Sequence, residues 1–160
     1  MKIEKQIIVN KSIEDAWKVL GTDFATAHIW ASPLINCQAN DNKSFNGSSC
    51  TERICDIKGT GKTKEKLLQF SNDTHSLNYV VEGMPEVVTH ATNTWWLTSI
   101  NAAQTKLNMK MEVALSGFMG KLMQPMMKIM LGKMFSTIII DFKYYVENGR
   151  PSEAKLRAQK

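Results

Sequence analysis

The spacing of apolar residues changes twice along the chain. Ile13, Ala16, Trp17 and Leu20 follow the i, i+3, i+4, i+7 pattern of a short helix that ends at Gly21. Its N-terminus carries a capping residue, Ser12, followed three residues later by an acid. From residue 34 to residue 115 the pattern alternates, as in strands, and after residue 115 it becomes helical again.

Seven strands are predicted, and they are separated by short runs of turn-forming residues. They cover residues 2–10, 34–40, 49–58, 62–71, 75–82, 88–100 and 104–115. A second short helix is predicted from Asp23 to about Trp30, before Pro33. The gaps between the last six strands are too short for parallel crossovers, so these strands are antiparallel.

The segment 116–148 is amphipathic and helical. We predict that its main helix runs from about Pro125 to Asn148, after a lead-in from Ser116 to Gln124 that is mobile or separately helical. The predicted apolar side consists of Met119, Met123, Met126, Met130, Met134 and Ile138. Residues 149–160 are predicted to be a disordered tail, which leaves a single domain over residues 1–148.

These elements predict an α+β fold in which a curved seven-stranded antiparallel sheet wraps around a long C-terminal helix. The two short helices lie between strands 1 and 2 and close one end. Because a curved sheet diverges from a straight helix, an apolar gap should remain between them. Eight of the ten methionines fall between residues 109 and 134. Methionine adapts to irregular shapes, which favours a deformable pocket wall, with a plain core as the alternative.

Several segments resemble the SRPBCC superfamily, which is also called the START or birch-pollen-allergen-like superfamily, and within it the polyketide cyclase/dehydrase-like branch. They are Ile13-Glu14-Asp15-Ala16-Trp17, residues 24–30 with Pro33, Arg53, Lys64-Glu65-Lys66-Leu67-Leu68, Leu77-Asn78-Tyr79 and Met84-Pro85. The resemblance covers about residues 3–148 and implies a helix-grip fold. The superfamily includes carriers of lipids, hormones and quinones, aromatic cyclases and co-chaperone-like modules, so the fold does not settle the function.

Arg53 is the charged residue that stands out. Strand alternation places Arg53 and Cys55 on the inner face and Asp56 on the outer face. If the next hairpin pivots on Thr60, Glu65 lies opposite Cys55 and diagonal to Arg53, and Asp56 lies opposite Lys64 on the outer face. A buried guanidinium needs a carboxylate, water or an anionic guest. Arg53 therefore either faces a ligand, pairs structurally with Glu65, or lies at the rim.

Other candidates surround the same gap. The Tyr79 hydroxyl either points into the cavity or lies at its rim. Trp30 either covers the cavity or packs in the core, and Phe118 lies at the expected entrance. The complete set of candidate ligand-binding residues is Trp30, Arg53, Glu65, Tyr79, Met109, Met111, Phe118, Met119, Met123, Met126, Met130 and Met134. The catalytic candidates are Arg53, Glu65 and Tyr79.

Composition argues against several other classes of protein. The net charge is +5 and the pI is about 9.1, but the basic residues are scattered, which disfavours nucleic-acid binding. His28, His75 and His90 lack metal-ligand spacing, and no cofactor is expected. The three cysteines show no disulfide or zinc pattern, and the N-terminus lacks a signal-peptide run, so we expect reduced thiols and a cytoplasmic protein. Lysines interrupt the apolar C-terminal segment, so stable membrane insertion is not expected.

The favoured hypothesis is a binding protein for a small, largely apolar molecule of lipid, isoprenoid or polyketide type. In it Arg53, with Glu65 or Tyr79, orients the polar end of the ligand. The alternatives are a cyclase or dehydratase that uses the same cavity, and a protein-interaction module that uses the methionine-rich surface. The oligomeric state is open.

Overall fold

The computed structural model describes residues 1–42 and 44–159, and a single antiparallel sheet of seven strands dominates it. The strands are β1 (Lys2–Val9), β2 (Leu34–Ala39), β3 (Glu52–Ile57), β4 (Gly61–Ser71), β5 (Ser76–Glu82), β6 (Val88–Asn101) and β7 (Gln104–Leu115). Their spatial order is β1-β7-β6-β5-β4-β3-β2. The first strand is thus paired with the last, and β1 and β2 form the two edges.

The short helical elements lie between β1 and β2, as predicted. Helix α1 (Ile13–Trp17) widens into a π-helical turn (Lys18–Thr22), and a 3₁₀ segment (Phe24–Ile29) follows. The Ser12 hydroxyl accepts a hydrogen bond from the amide of Asp15, which confirms the cap. The helix does not stop at Gly21. This glycine is required because a Cβ there would lie 2.5 Å from the ring of Trp17.

The long helix α2 (Gly117–Asn148) has 32 residues and crosses the concave side of the curved sheet. It begins after Ser116 and ends at Gly149, which has a left-handed φ of 67°. Pro125 lies inside the helix, so the prediction that the helix starts there is wrong. A proline removes only one intrahelical hydrogen bond, and the exposed Pro125 is tolerated within a long helix.

The core lies between α2 and the concave face of the sheet. The buried apolar residues of α2 are Met127, Leu131, Phe135, Ile138, Ile139, Phe142 and Val146. The predicted apolar side is therefore wrong in its first half, where Met119, Met126 and Met130 are 55%, 63% and 48% exposed. In that region the apolar residues span about half of the helix circumference, from Phe118 to Met127, and only Met127 at one edge of this arc is buried, so their spacing did not indicate which side faces the core.

The structure also places a helix in the predicted disordered tail. Helix α3 (Glu153–Ala158) begins after Ser152, which caps it through the amide of Lys155. The Lys155 side chain is fully buried, and its ammonium donates a hydrogen bond to the carbonyl of Leu34. The buried Asp141 of α2 accepts hydrogen bonds from the Ser152 hydroxyl and from the amide of Ser32. Two polar contacts, from Lys155 to Leu34 and from Ser152 to Asp141, thus fix a segment whose composition is that of a solvated tail.

A disulfide joins Cys37 of β2 to Cys55 of β3, while Cys50 is free and buried. The expectation of three reduced thiols is therefore wrong. The two cysteines are directly opposite in the β2–β3 ladder, 18 residues apart in sequence. The expectation of a cytoplasmic location relied on reduced thiols and on the N-terminal sequence, so this bond removes one of its two grounds.

Candidate ligand-binding cavity

A cavity lies between the concave face of the sheet, α2 and the 3₁₀ segment. Its walls are mainly apolar, and they include Leu20, Phe24, Trp30, Leu34, Leu77, Trp95, Leu131, Phe135 and Ile138. The space open to the centre of a water molecule is about 70 Å³. This is roughly half the volume of an engineered apolar cavity that holds benzene, so a guest of that size or larger requires the walls to move.

Arg53 and Glu65 form a buried ion pair in this wall. They are directly opposite in the β3–β4 ladder, and both side chains line the cavity. The guanidinium contacts one carboxylate oxygen of Glu65 through both Nε and Nη2, each at 2.6 Å. Its Nη1 donates to the carbonyl of Phe24, and the guanidinium lies 3.8 Å from the centre of the Phe24 ring. Arg53 is thus already neutralised and held from three sides.

The observed register differs from the prediction by two residues. Cys55 is opposite Thr63, so Glu65 faces Arg53 directly instead of diagonally. The hairpin pivots on Gly59, whose φ of 78° is in the left-handed region, and not on Thr60. The prediction of which side chains face the cavity is unaffected by this shift, because side chains alternate between the two faces of a sheet with a period of two residues.

Tyr79 of β5 carries the next polar group in the cavity. Its hydroxyl oxygen accepts hydrogen bonds from Asn93 Nδ2 at 2.9 Å and from Trp95 Nε1 at 3.3 Å. Burial, followed by the nearby carboxylate of Glu65, raises the pKa of Tyr79, so the hydroxyl keeps its proton at neutral pH. Among the described residues no acceptor receives that proton in a hydrogen bond.

Three further polar atoms on cavity-lining side chains have no hydrogen-bond partner within residues 1–42 and 44–159. They are Trp30 Nε1, Thr63 Oγ1 and Asn93 Oδ1, and all three side chains are buried. Buried polar atoms normally have partners in folded proteins. Trp30 Nε1 is a donor, Asn93 Oδ1 is an acceptor, and the Thr63 hydroxyl can donate or accept. All three are uncharged.

Six of the twelve residues predicted to bind a ligand line the cavity: Trp30, Arg53, Glu65, Tyr79, Met111 and Met134. Met109 is buried but is not part of the lining, and Met123 is half-buried. Phe118, Met119, Met126 and Met130 are exposed on α2. The structure therefore brings together the strand residues and only one methionine of the helix.

Sequence reasoning missed several lining residues, including Phe24, Asn93, Trp95, Leu131 and Phe135. A signal existed for Asn93, because it lies in phase with Ala91 and Trp95 on the buried face of β6. A polar residue in a strand usually faces solvent, which hides this signal. In the part of the chain that the structure describes, no group of three or more His, Cys, Asp or Glu side chains is placed to hold a metal ion.

The curved sheet, the long helix and the cavity between them define a helix-grip protein of the START type. The sequence profile of the polyketide cyclase/dehydrase and lipid transport family matches residues 1–147. The chain belongs to this family, which confirms the resemblance inferred from its sequence. No protein of curated function matches the chain.

Solved structures share the fold at low sequence identity. A truncated norcoclaurine synthase from Thalictrum flavum is 15% identical, with a TM-score of 0.73 over 92% of this chain and 94% of that one. A START superfamily protein from Mycobacterium smegmatis is 14% identical, with a TM-score of 0.71 over 91% and 97%. The di-domain ARO/CYC BexL from the BE-7585A biosynthetic pathway is 11% identical, with a TM-score of 0.74 over 92% of this chain and 46% of its own. These similarities confirm the predicted helix-grip fold.

Proposed function

We propose that this protein binds a small, largely apolar and uncharged molecule that carries at least one hydroxyl or carbonyl group. The observation that carries the proposal is the set of unpaired polar atoms of Trp30, Thr63 and Asn93 in an otherwise apolar cavity. Leaving such an atom buried without a partner costs about 1–3 kcal/mol. A hydroxyl or carbonyl on a guest relieves this cost, while the apolar walls bury the rest of the molecule.

The preference for an uncharged guest follows from the Arg53–Glu65 pair. A carboxylate ligand would compete with Glu65 for Arg53, whose Nε and Nη2 both contact Glu65 and whose Nη1 bonds to the Phe24 carbonyl. It would also bring a net negative charge into the apolar cavity, which is strongly unfavourable. The Arg53–Glu65 pair therefore acts as a neutral polar wall, beside which the Tyr79 hydroxyl offers a proton to the guest.

The size of the guest depends on the walls. Met84 and Met134 are half-buried lining residues. Methionine changes rotamer easily, so these two side chains let the cavity expand around a guest larger than the present space. The printed description of the family, which names lipid transport beside polyketide cyclases and dehydrases, supports a guest of this kind.

The experiment compares three probes of similar size: p-cresol, toluene and benzoate. Tryptophan fluorescence reports binding, since Trp30 and Trp95 line the cavity. We expect p-cresol to bind most tightly and benzoate least. Thr63→Val, which removes the unpaired hydroxyl without changing the shape, should weaken p-cresol binding about fivefold and leave toluene binding unchanged.

Thr92→Val is the matched control, because Thr92 lies on β6 between the inward-facing Ala91 and Asn93 and therefore on the opposite face. It should bind both probes like the wild type. Tightest binding of benzoate, or an equal loss of p-cresol and toluene binding in Thr63→Val, would contradict the proposal. Native mass spectrometry of the purified protein then searches for a co-purifying neutral molecule.

A cyclase or dehydratase acting in the same cavity is the second candidate, and Tyr79 favours it. Two N–H donors support its oxygen, and its proton is free to bond to a substrate carbonyl on which negative charge develops. In this case Tyr79→Phe abolishes turnover of a poly-β-ketone substrate but preserves toluene binding. If the protein only binds its ligand, neither the wild type nor Tyr79→Phe shows turnover.

A further inference from the structure

The first fourteen residues of α2, residues 117–130, present apolar side chains to solvent. With 100° of rotation per residue, the six exposed large apolar side chains of this stretch fall within an arc of about 120° on the side away from the core. They are Phe118, Met119, Leu122, Met126, Ile129 and Met130, which are between 48% and 78% exposed. We name this set the apolar face of α2. A contiguous apolar surface of this kind marks an interaction site.

The charges along the same stretch are all positive. Lys121 and Lys128 border the apolar face, and Lys133 follows on the next turn. The sequence has no Asp or Glu between Glu112 and Asp141. The loop between β5 and β6 contacts the start of the helix, where the Ser116 amide donates a hydrogen bond to the carbonyl of Val87. The acidic residue of this loop is Glu86.

We propose that the apolar face of α2 docks the protein onto the surface of an anionic lipid bilayer. A helix with large apolar side chains on one face and lysines beside them lies in the membrane interface, with the lysines near acidic headgroups. Charge complementarity selects this partner over a second copy of the chain. Pairing two apolar faces would bring the lysines of both copies together, whereas an anionic surface attracts them.

The docked orientation has a consequence for the cavity. Leu131 and Met134 line the cavity, and along α2 Leu131 directly follows the exposed Met130 while Met134 lies about one turn further on. Docking therefore brings the helix side of the cavity close to the bilayer surface. The docking itself does not require that the cavity bind a ligand. In the part of the chain that the structure describes, no helix has the length and apolar character to cross a bilayer.

The test is co-sedimentation with phosphatidylcholine vesicles that contain about 30% phosphatidylglycerol, compared with pure phosphatidylcholine. We expect the wild type to bind the anionic vesicles, and to bind the neutral ones more weakly. The double variant Leu122→Glu/Ile129→Glu should reduce the partition coefficient by at least about tenfold. Its matched control is Ile54→Glu/Leu68→Glu, two exposed apolar residues on strands β3 and β4. The control should bind like the wild type.

A second pair of variants tests the charge separately. Lys121→Gln/Lys128→Gln should weaken binding to anionic vesicles by about fivefold for each lysine removed, and salt should weaken wild-type binding. The control Lys11→Gln/Lys66→Gln removes the same charge from the end of β1 and from β4, and should change binding less than about twofold. Thermal unfolding of each variant checks that the fold is intact.

Three outcomes would overturn the proposal. The first is a wild-type protein that binds neither kind of vesicle. The second is equal binding to neutral and anionic vesicles. The third is a concentration-dependent dimer that Leu122→Glu/Ile129→Glu abolishes, without any vesicle binding, which would assign the apolar face to a second copy of the chain.

Discussion

The two halves of α2 share one helical axis and a similar apolar content, but they meet different surroundings. In the C-terminal half, residues 131–148, the buried residues are Leu131, Phe135, Ile138, Ile139, Asp141, Phe142 and Val146. In the N-terminal half, residues 117–130, only Gly120 and Met127 are buried. The difference shows that apolar content alone does not determine burial along a helix.

Polar contacts to other elements explain why the C-terminal half of α2 is fixed more firmly than the N-terminal half. The Lys143 ammonium donates to the Ile8 carbonyl of β1 and pairs with Glu147, which in turn accepts the Asn10 amide. Asp141 ties the same half to Ser32 and Ser152. Within the described residues, no side chain of the N-terminal half hydrogen-bonds to another element. The C-terminal half is therefore the anchor of the helix, and the N-terminal half is held mainly by Met127.

The sharpest way to test this comparison is to truncate one side chain in each half. Phe142 is fully buried, so Phe142→Ala should lower the free energy of unfolding by about 3–5 kcal/mol. Met126 is 63% exposed, and Met126→Ala should change it by less than about 0.5 kcal/mol. Urea denaturation measures both. Comparable losses of stability in the two variants would show that the N-terminal half of α2 is packed as tightly as the C-terminal half.

The next effect concerns Asp141, which joins the anchored half to α3. Asp141→Ala should lower the free energy of unfolding by about 2–3 kcal/mol, because it leaves the half-buried Ser32 amide and the Ser152 hydroxyl without their acceptor. Hydrogen exchange in residues 153–158 should accelerate in this variant. Glu153→Ala, at an exposed acid of α3, is the control. Unchanged exchange in Asp141→Ala would mean that α3 is held by other contacts.

Pro125 offers a smaller effect in the opposite direction. Pro125→Ala should raise the free energy of unfolding by about 1–2 kcal/mol, below the full helix-interior penalty of about 3 kcal/mol, because the N-terminal half has few tertiary contacts. Gln124→Ala, at the neighbouring exposed position, should change it by less than about 0.5 kcal/mol. Thermal unfolding is a suitable readout. A loss of stability in Pro125→Ala would instead indicate that the proline is needed for the helix to pack.

The smallest effect is a pH dependence from His28 of the 3₁₀ segment, beside the region where α3 docks. Burial lowers the pKa of His28 below 6.5, and the positive charges of Lys155 and Arg53 lower it further. The unfolded chain therefore takes up this proton first as the pH falls. The contribution of His28 to stability is complete above pH 6.5 and is lost as the pH falls through the lower folded-state pKa.

Chemical denaturation between about pH 7.5 and pH 5 checks this prediction. His28→Gln should flatten the fall in stability toward acidic pH, whereas His90→Gln, at an exposed position on β6, should leave it in place. If the free energy of unfolding of His28→Gln falls with decreasing pH as steeply as that of the wild type, the acid sensitivity comes from other groups.

The sequence predicted the fold well because strand alternation is a robust signal. The faces of β3 and β4 were correct, and so Arg53 and Glu65 were placed on the cavity side. Their register was not predictable from alternation, since it depends on the left-handed turn at Gly59. The cystine across β2 and β3 was missed for a related reason, because the spacing of Cys37 and Cys55 does not reveal the register of a ladder.

The candidate site was predictable only in part. Near the start of α2, apolar side chains span about half of the circumference and only the edge of this arc at Met127 is buried, so the apolar spacing did not separate the apolar face from the buried side. Alternation with Glu65 places Thr63 on the inner face, but neither Thr63 nor Asn93 was proposed as a ligand-binding residue. Their meaning depends on which partners they lack, and this becomes visible only in three dimensions.

The covalent link between Cys37 and Cys55 ties an outermost strand to the one that carries Arg53. Adding a reductant leaves β2 attached only by non-covalent contacts, among them its ladder with β3 and the hydrogen bond from Lys155 to the Leu34 carbonyl. Preparations made in dithiothreitol and in air are therefore chemically distinct samples, and affinities measured on the two should be compared before either is assigned to the protein.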